Sequence, residues 1–290
     1  MIGPFDNTNY LQNKLSHTAN QTALQQIQKK YGISIDTSAL EMISDGLHIS
    51  GDVNLLWSYP SLTPSDFLKN RKDANYTFVG NFNERRTQKP RMEHRMFGNH
   101  IIAKKEQNDL PTIYFSLGTV VMGNLWNQQE QTRKDLKSFI SGLADLWAGQ
   151  DYKVIFASLI PKVLDSYPDN WEVHQTVDQI DALSKADVFV THAGNNSFHE
   201  AALQKVPMVA IPFFGDQILV AKQIENLGIG INLGKNTSID TASPKDFLDD
   251  SLIQKVDKAV LDILCNCKYR KGYERLEMNK TDIKFLLEEI

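Results

Sequence analysis

The chain has 290 residues, 41% hydrophobic and 23% charged, enough for about two domains with sizeable cores. Its formal net charge of −4 offers no general attraction to nucleic acid. No run is long and apolar enough to span a bilayer, and the opening MIGPFDNTNY lacks the basic start and apolar centre of a signal peptide, so a cytoplasmic protein is expected.

Taken in chain order, residues 20–31 have helical spacing and end at Gly32, a C-cap residue. Residues 52–58, DVNLLWS, read as a strand closed by Pro60, and residues 76–79 as a second short strand. Residues 85–105 are polar and basic, with Arg85, Arg86, Lys89, Arg91, Arg95, Lys104 and Lys105. This stretch is either a solvated linker or a basic lip for an anionic substrate. Beyond Pro111 the pattern sharpens. Strands are predicted at 112–117, 153–158, 187–190, 207–211 and 231–233, with helices at 135–147, 179–185, 197–204 and 218–227. Strand alternating with helix at these spacings argues an α/β fold around a parallel sheet. Helices are expected at 246–264 and 269–290; Cys265 and Cys267, two residues apart, would face opposite sides of a helix and are read as reduced packing thiols. Trp126, Trp147 and Trp171 read as packing residues.

The segment ADVFVTHAGNNSFHEAALQKVPMVAIPFFGDQ, residues 186–217, gathers its polar groups at strand ends and at a helix start. Open α/β sheets bind ligands there, and bare helix N–H groups attract anions there. Gly194 permits close backbone approach to a diphosphate. Asn196 and Ser197 would open the following helix and present donors. His192 ends the strand FVTH, where its ring can donate to a phosphate oxygen. Gly118 and Thr119, at the end of another strand, would approach the same group. Glu200 lies one helical turn beyond Ser197 and can accept from ribose hydroxyls, while Asp216 and Gln217 sit in a loop suited to reading a sugar. Each has a plain structural counterpart. Ser197 and Glu200 also fit a capping box, His192 a satisfied structural histidine, Asp216-Gln217 a turn, and His199 an exposed helical residue.

Residues 177–230 resemble the donor-binding signature of nucleotide-sugar-dependent glycosyltransferases of the plant, animal and macrolide-modifying type, through VDQIDAL, ADVFVTHAG, NNSFHEA, VPMVAIPFFGDQ and ENLGIG. FSLGT, residues 115–119, resembles the family's other phosphate-side loop. The resemblance implies a GT-B fold. Its Rossmann-like parallel-sheet donor domain would span residues 111–268, after a partial acceptor-side domain at 1–84 and a linker at 85–110, with a C-terminal helix at 269–290. It also implies an inverting transfer of a glucose-type sugar from a UDP-sugar to a hydroxyl, with no required metal and no cofactor beyond the nucleotide sugar as co-substrate. His192 would contact the diphosphate, and Asn196 and Ser197 its other phosphate with Ser116 or Thr119 nearby. Glu200 would hold the ribose, Asp216 and Gln217 the sugar, and Val177 and Gln179 would flank base and ribose. Thr176 stands where the family carries Trp, Val220 where it often carries Asn after the Asp-Gln pair, and Asn195 differs from several branches. The opening strand that would carry the catalytic base has no match, and none of His17, His48, His94 and His100 follows a convincing first strand. The alternatives are a nucleotide-sugar-binding subunit or inactive remnant needing an acceptor-half protein partner or homodimer, and a sugar-nucleotide epimerase. The expected acceptor is a small molecule or lipid.

Overall fold

The computed structural model describes residues 8–43, 46–48, 53–67, 69, 75–81, 110–128, 130–160, 162–234, 248 and 250–280. The basic stretch at 85–105, with His94 and His100, lies outside them. The chain divides into two compact units, residues 1–80 with 277–290, and residues 81–276.

In the first unit, helices α1 (Thr8–Ser16) and α2 (Thr18–Tyr31) precede an antiparallel pair, β1 (Glu41–Ile43) with β2 (Gly46–His48), and a parallel pair, β3 (Asn54–Leu56) with β4 (Tyr76–Phe78). His17 caps α2: its Nδ1 accepts from Ala19 N. Leu56 and Phe67 are buried together, and Tyr76 and Phe78 pack against them. The end of the described chain returns to this unit, where Ser61 Oγ donates to the Glu277 carbonyl at 2.5 Å.

The second unit runs β5 (Thr112–Ser116), α3 (Gly118–Gln128), α4 (Glu130–Trp147), β6 (Lys153–Ala157), β7 (Trp171–His174), α5 (Gln179–Lys185), β8 (Val188–Thr191), α6 (Asn195–Leu203), β9 (Met208–Ala210), α7 (Gln217–Asn226), β10 (Gly230–Asn232), α8 (Asp250–Cys265) and α9 (Lys268–Gly272). Every strand pairing in its six-stranded sheet is parallel, and the order is β10-β9-β8-β5-β6-β7. Counted from β5, this is the doubly wound 3-2-1-4-5-6 arrangement. Strand order therefore reverses between β5 and β8. Both strands are buried along their whole length, which explains their near-continuous apolar sequence.

One sheet face packs against α4 and α8. Helix α4 buries Leu136, Phe139, Ile140, Leu143, Ala144 and Trp147, an i, i+3, i+4, i+7 stripe. Helix α8 adds Leu252, Val256, Ala259, Val260 and Ile263 to the same core. Trp147 Nε1 donates to Asp257 Oδ1 at 3.0 Å, linking the two helices. Trp147 and Trp171 sit in this core against Phe115, as packing residues, and Trp126 packs on its edge. At the amino end of the sheet, the Asp187 carboxylate accepts from Thr112 N at 3.0 Å and pairs with Arg270 at 2.9 Å. Tyr273 Oη donates to the Val206 carbonyl at 2.6 Å, fixing the chain after α9 to the same end.

Several expectations are corrected. Helix α3 and strand β7 were not foreseen, and α4 begins at Glu130 rather than 135. The expected helix over 269–290 is the single turn of α9 followed by a short 3-10 turn, Tyr273–Arg275; residues 276–280 are not helical, and 281–290 lie outside the described residues. At this point Gly272 packs against the Gly228 backbone and Tyr273 is tied to Val206. Among the described residues, no helix is long and apolar enough to cross a membrane.

The Asp187–Arg270 pair is nearly sheltered from solvent, with side chains 9% and 11% exposed. Asp187→Ala strands the guanidinium and the Thr112 N–H, and should cost about 3–5 kcal/mol of stability, measured by urea unfolding. A loss below about 1 kcal/mol would show the pair to behave like a solvated one.

Candidate functional site

Carboxyl ends of β5 and β8 meet at the reversal of strand order, with Ser116 paired to Thr191 in the ladder. Beyond them the chain turns sharply on both sides. After β5, Ser116 Oγ accepts from Gly118 N at 3.3 Å, and Gly118 adopts φ +73° to start α3. After β8, His192 is buried, and Ala193 holds φ +62°, an uncommon backbone for a residue with a Cβ. Ala193 N donates to Thr191 Oγ1 at 3.2 Å, which fixes that turn.

The His192 ring lies between two glycines. A Cβ on Gly118 would strike its Cε1, Nε2 and Nδ1, and a Cβ on Gly194 would strike its Nε2 and Cε1. The expectation that these glycines admit a ligand's close approach thus gains a more immediate cause: they make room for the imidazole. His192 Nδ1 is buried with no hydrogen-bond partner. Burial lowers the pKa of the ring from 6.5 to about 4, so it is neutral at neutral pH and carries one N–H.

Helix α6 opens at Asn195 with Gly194 as its cap residue; its first backbone bond runs from Phe198 N to the Gly194 carbonyl. The N–H groups of 195, 196 and 197 therefore precede the helical ladder. Ser197 lies inside the first turn, not at the cap, so the capping-box geometry of Ser197 and Glu200 is not present. Glu200 is buried and linked across to α5 instead: Gln179 Nε2 donates to Glu200 Oε2 at 2.7 Å and to Ser197 Oγ at 3.0 Å. Tyr114 Oη meets Gln179 Oε1 at 3.4 Å. Burial pushes the Tyr114 phenol up to about 12, against a downward pull from its hydrogen bond with Ser116 and with a smaller upward one from Glu200. Asp178 caps α5 through bonds to Ile180 N and Asp181 N, which fixes Gln179 as the first helical residue.

The next strand end is held beside this one. Ile211 N donates to the Thr191 carbonyl at 2.8 Å, and the chain then turns through Phe213 and Phe214 to Asp216. Gln217 Oε1 accepts from Phe213 N at 2.9 Å and Phe214 N at 3.3 Å, so its carbonyl holds the loop and only its amide NH₂ is left for a ligand. Asp216 is buried, and its carboxylate does not cap α7.

Contacts thus join Ser116, Gly118, His192 and Gly194 into one group, and Gln179, Ser197 and Glu200 into a second. Asp216 and Gln217 share a third loop. Thr119 and Asn196 are exposed, and Val177 is half-buried next to the α5 cap residue, Asp178. Sequence reasoning missed Tyr114, although a tyrosine inside a fully buried strand needs a partner for its hydroxyl. His199, expected to be exposed, is 1% exposed, and its Nδ1–H donates to the Asn195 carbonyl at 2.8 Å. Burial lowers its pKa to about 4, against a smaller upward pull from that carbonyl.

These two rings make stability pH-dependent. Their folded pKa values lie below the unfolded 6.5, so between about pH 4 and 6.5 the unfolded chain binds more protons. Stability should rise with pH across that window and fall on acidification, by about 3 kcal/mol for each ring that stays dry. Urea unfolding at pH 7 and pH 4.5 measures it, and His199→Gln should remove part of the slope. An unchanged slope in that variant would show the ring to be solvated.

The family described as UDP-glucoronosyl and UDP-glucosyl transferase matches residues 8–252. NDP-glycosyltransferase YjiC of Bacillus licheniformis is 29% identical over 164 residues, 56% of this chain and 36% of that protein. NDP-glycosyltransferase YjiC of Bacillus subtilis is 26% identical over 269 residues, 88% of this chain and 62% of that protein. The solved glycosyltransferase of kitacinnamycin superposes with a TM-score of 0.56 at 20% identity, over 92% of this chain and 59% of its own, and supports the GT-B fold. The chain thus spans between about a third and two thirds of these proteins. With 245 of its 290 residues inside the family match, it belongs to the UDP-glucoronosyl and UDP-glucosyl transferase family.

Proposed function

We propose that this chain carries the donor site of an inverting glycosyltransferase that moves a glucose-type sugar from a UDP-sugar to a hydroxyl of a small-molecule or lipid acceptor. The observation that carries this reading is the neutral His192 ring set between Gly118 and Gly194 where strand order reverses, beside the open N–H groups of α6. A diphosphate placed there meets uncharged donors in fixed orientation. The reading asks for no metal and no bound cofactor; the nucleotide sugar is the co-substrate.

In the reaction, a base takes the acceptor proton, the oxygen attacks the anomeric carbon, and UDP leaves. Charge on the leaving phosphate grows in the transition state. A His192 N–H and the first-turn N–H groups of α6, already in position, would stabilise that charge more than the ground state. Glu200 is the acceptor suited to the ribose hydroxyls. Asp216, with the Gln217 amide, is the group suited to the sugar. Ser116 and Thr119 stand on the phosphate side, and Val177 stands beside the base.

No residue of this chain is assigned as the base. His17, the one upstream histidine whose side chain is described, caps α2. That commitment favours a second reading, in which the base comes from outside the described residues or from a partner chain. The two readings share the donor site.

UDP at about 100 times its dissociation constant should add about 2.7 kcal/mol of stability, read as a raised unfolding midpoint. His192→Ala should lower turnover in the active assembly by about 10²–10³, the effect of one lost transition-state donor. An unfolding midpoint that neither UDP nor any UDP-sugar moves at millimolar concentration would overturn the donor site.

A further inference from the structure

We infer that Tyr114 is a positioning residue for ribose recognition, acting through Gln179 to hold the Glu200 carboxylate in its binding orientation. The inference rests on the UDP-site reading and goes beyond the contact residues named there.

The phenol is fixed before any ligand arrives. Tyr114 belongs to β5, is 1% exposed, and pairs in the ladder with Phe189 of β8. The two rings stack at 4.7 Å with planes 11° apart. A buried phenol hydroxyl needs polar partners, and it has them in Gln179 Oε1 at 3.4 Å and the Ser116 side chain.

The direction of the bonds follows from the far end. Gln179 Nε2 donates to Glu200 Oε2, and the same Nε2 reaches Ser197 Oγ. That leaves Gln179 Oε1 facing Tyr114, whose hydroxyl must donate. Gln179 thus has one end set by the sheet and the other by α6. Removing the hydroxyl leaves its carbonyl without that donor and loosens the hold on a side chain with three torsions. One donor to Glu200 is then less firmly directed. At 3.4 Å the Tyr114 bond is long, and it adds at the carbonyl end to the two shorter bonds from Nε2 that orient the amide.

Gln179 gains a role with this. Its amide is engaged by three protein groups, so it orients the ribose-binding carboxylate beside the ribose it is expected to flank. The chain runs from the floor of the sheet to the helix that opens the phosphate site, and it crosses the face opposite the α4–α8 core.

The test is calorimetric titration of the folded chain and of Tyr114→Phe with two probes, UDP and 2′,3′-dideoxy-UDP. The wild type should prefer UDP by about tenfold or more, the effect of hydrogen bonds between hydroxyls and a charged acceptor. In Tyr114→Phe the preference should fall to about threefold or less, while dideoxy-UDP binds within about twofold of wild type, because its contacts do not use Glu200. A merely structural role would weaken both probes together. Gln179→Glu, which sets a second carboxylate against Glu200, should also lose the preference and serves if Tyr114→Phe does not fold. A variant that keeps the wild-type preference overturns the inference, as does a wild type that binds both probes equally, and in either case the UDP site stands. A wild type that binds neither probe overturns the UDP site and the inference with it.

Discussion

The constraint behind this site is the reversal of strand order between β5 and β8. Two adjacent parallel strands there send their chains to opposite faces of the sheet, and their turns diverge. The opening is filled by one imidazole, and both flanking turns are shaped around it. Gly118 has φ +73° and Gly194 begins a helix, and neither position has room for a Cβ because His192 is there. The arrangement carries costs: Ala193 sits in the left-handed region, and His192 Nδ1 is dry and unpaired. Such strain persists only where the surroundings over-determine it, and it clusters at sites that bind or react.

The same two strands are held at their other end. Asp187 bridges the start of β5, through Thr112 N, to Arg270, and its own N–H donates to the Thr112 carbonyl. Tyr273 adds a bond to the chain entering β9. None of these groups is near the carboxyl ends. They bear on the site by fixing the register of strands whose last residues place Ser116 and His192. A site that depends on sub-ångström placement needs such a rigid support.

The parallel sheet was legible in the sequence because buried strands are apolar along their whole length and are bounded by Gly, Pro or Asp, as in TIYFSLG and VPMVAIP. Helix α3 was not, because GTVVMGNLWNQ carries two glycines and two valines, which are poor helix formers held here by packing of Val121, Met122 and Leu125. Strand β7 is a four-residue edge with two exposed positions, too short for a period to show. Site residues were found by type and spacing, but their partners were not. The sequence shows a glycine without showing what the absent Cβ would strike, and it shows Ser197 three residues before Glu200 without fixing where α6 begins. A start at Asn195 instead of Ser197 turns a capping box into a cross-helix network. His199 looked like a surface residue for a related reason: α6 is covered on more than one side, and nothing local to a nine-residue helix reveals that.

The charge of the site follows from these details. The side chains gathered there among the described residues are a neutral histidine, a serine pair, a tyrosine, two glutamines and two carboxylates. A diphosphate bound there would be met by oriented N–H groups, and the Glu200 carboxylate would sit apart, at the end of the Tyr114–Gln179 chain. Neutral donors of fixed direction suit a reaction whose negative charge appears on the leaving group, because they need no reorganisation when it forms. Thr176 is exposed and has no ring on which a base could stack. In the proposed site, discrimination would then fall more heavily on the ribose and the phosphates. The orientation of one carboxylate, tied through Gln179 to a buried phenol on the adjoining strand, would then bear on how the nucleotide is told apart from other anions.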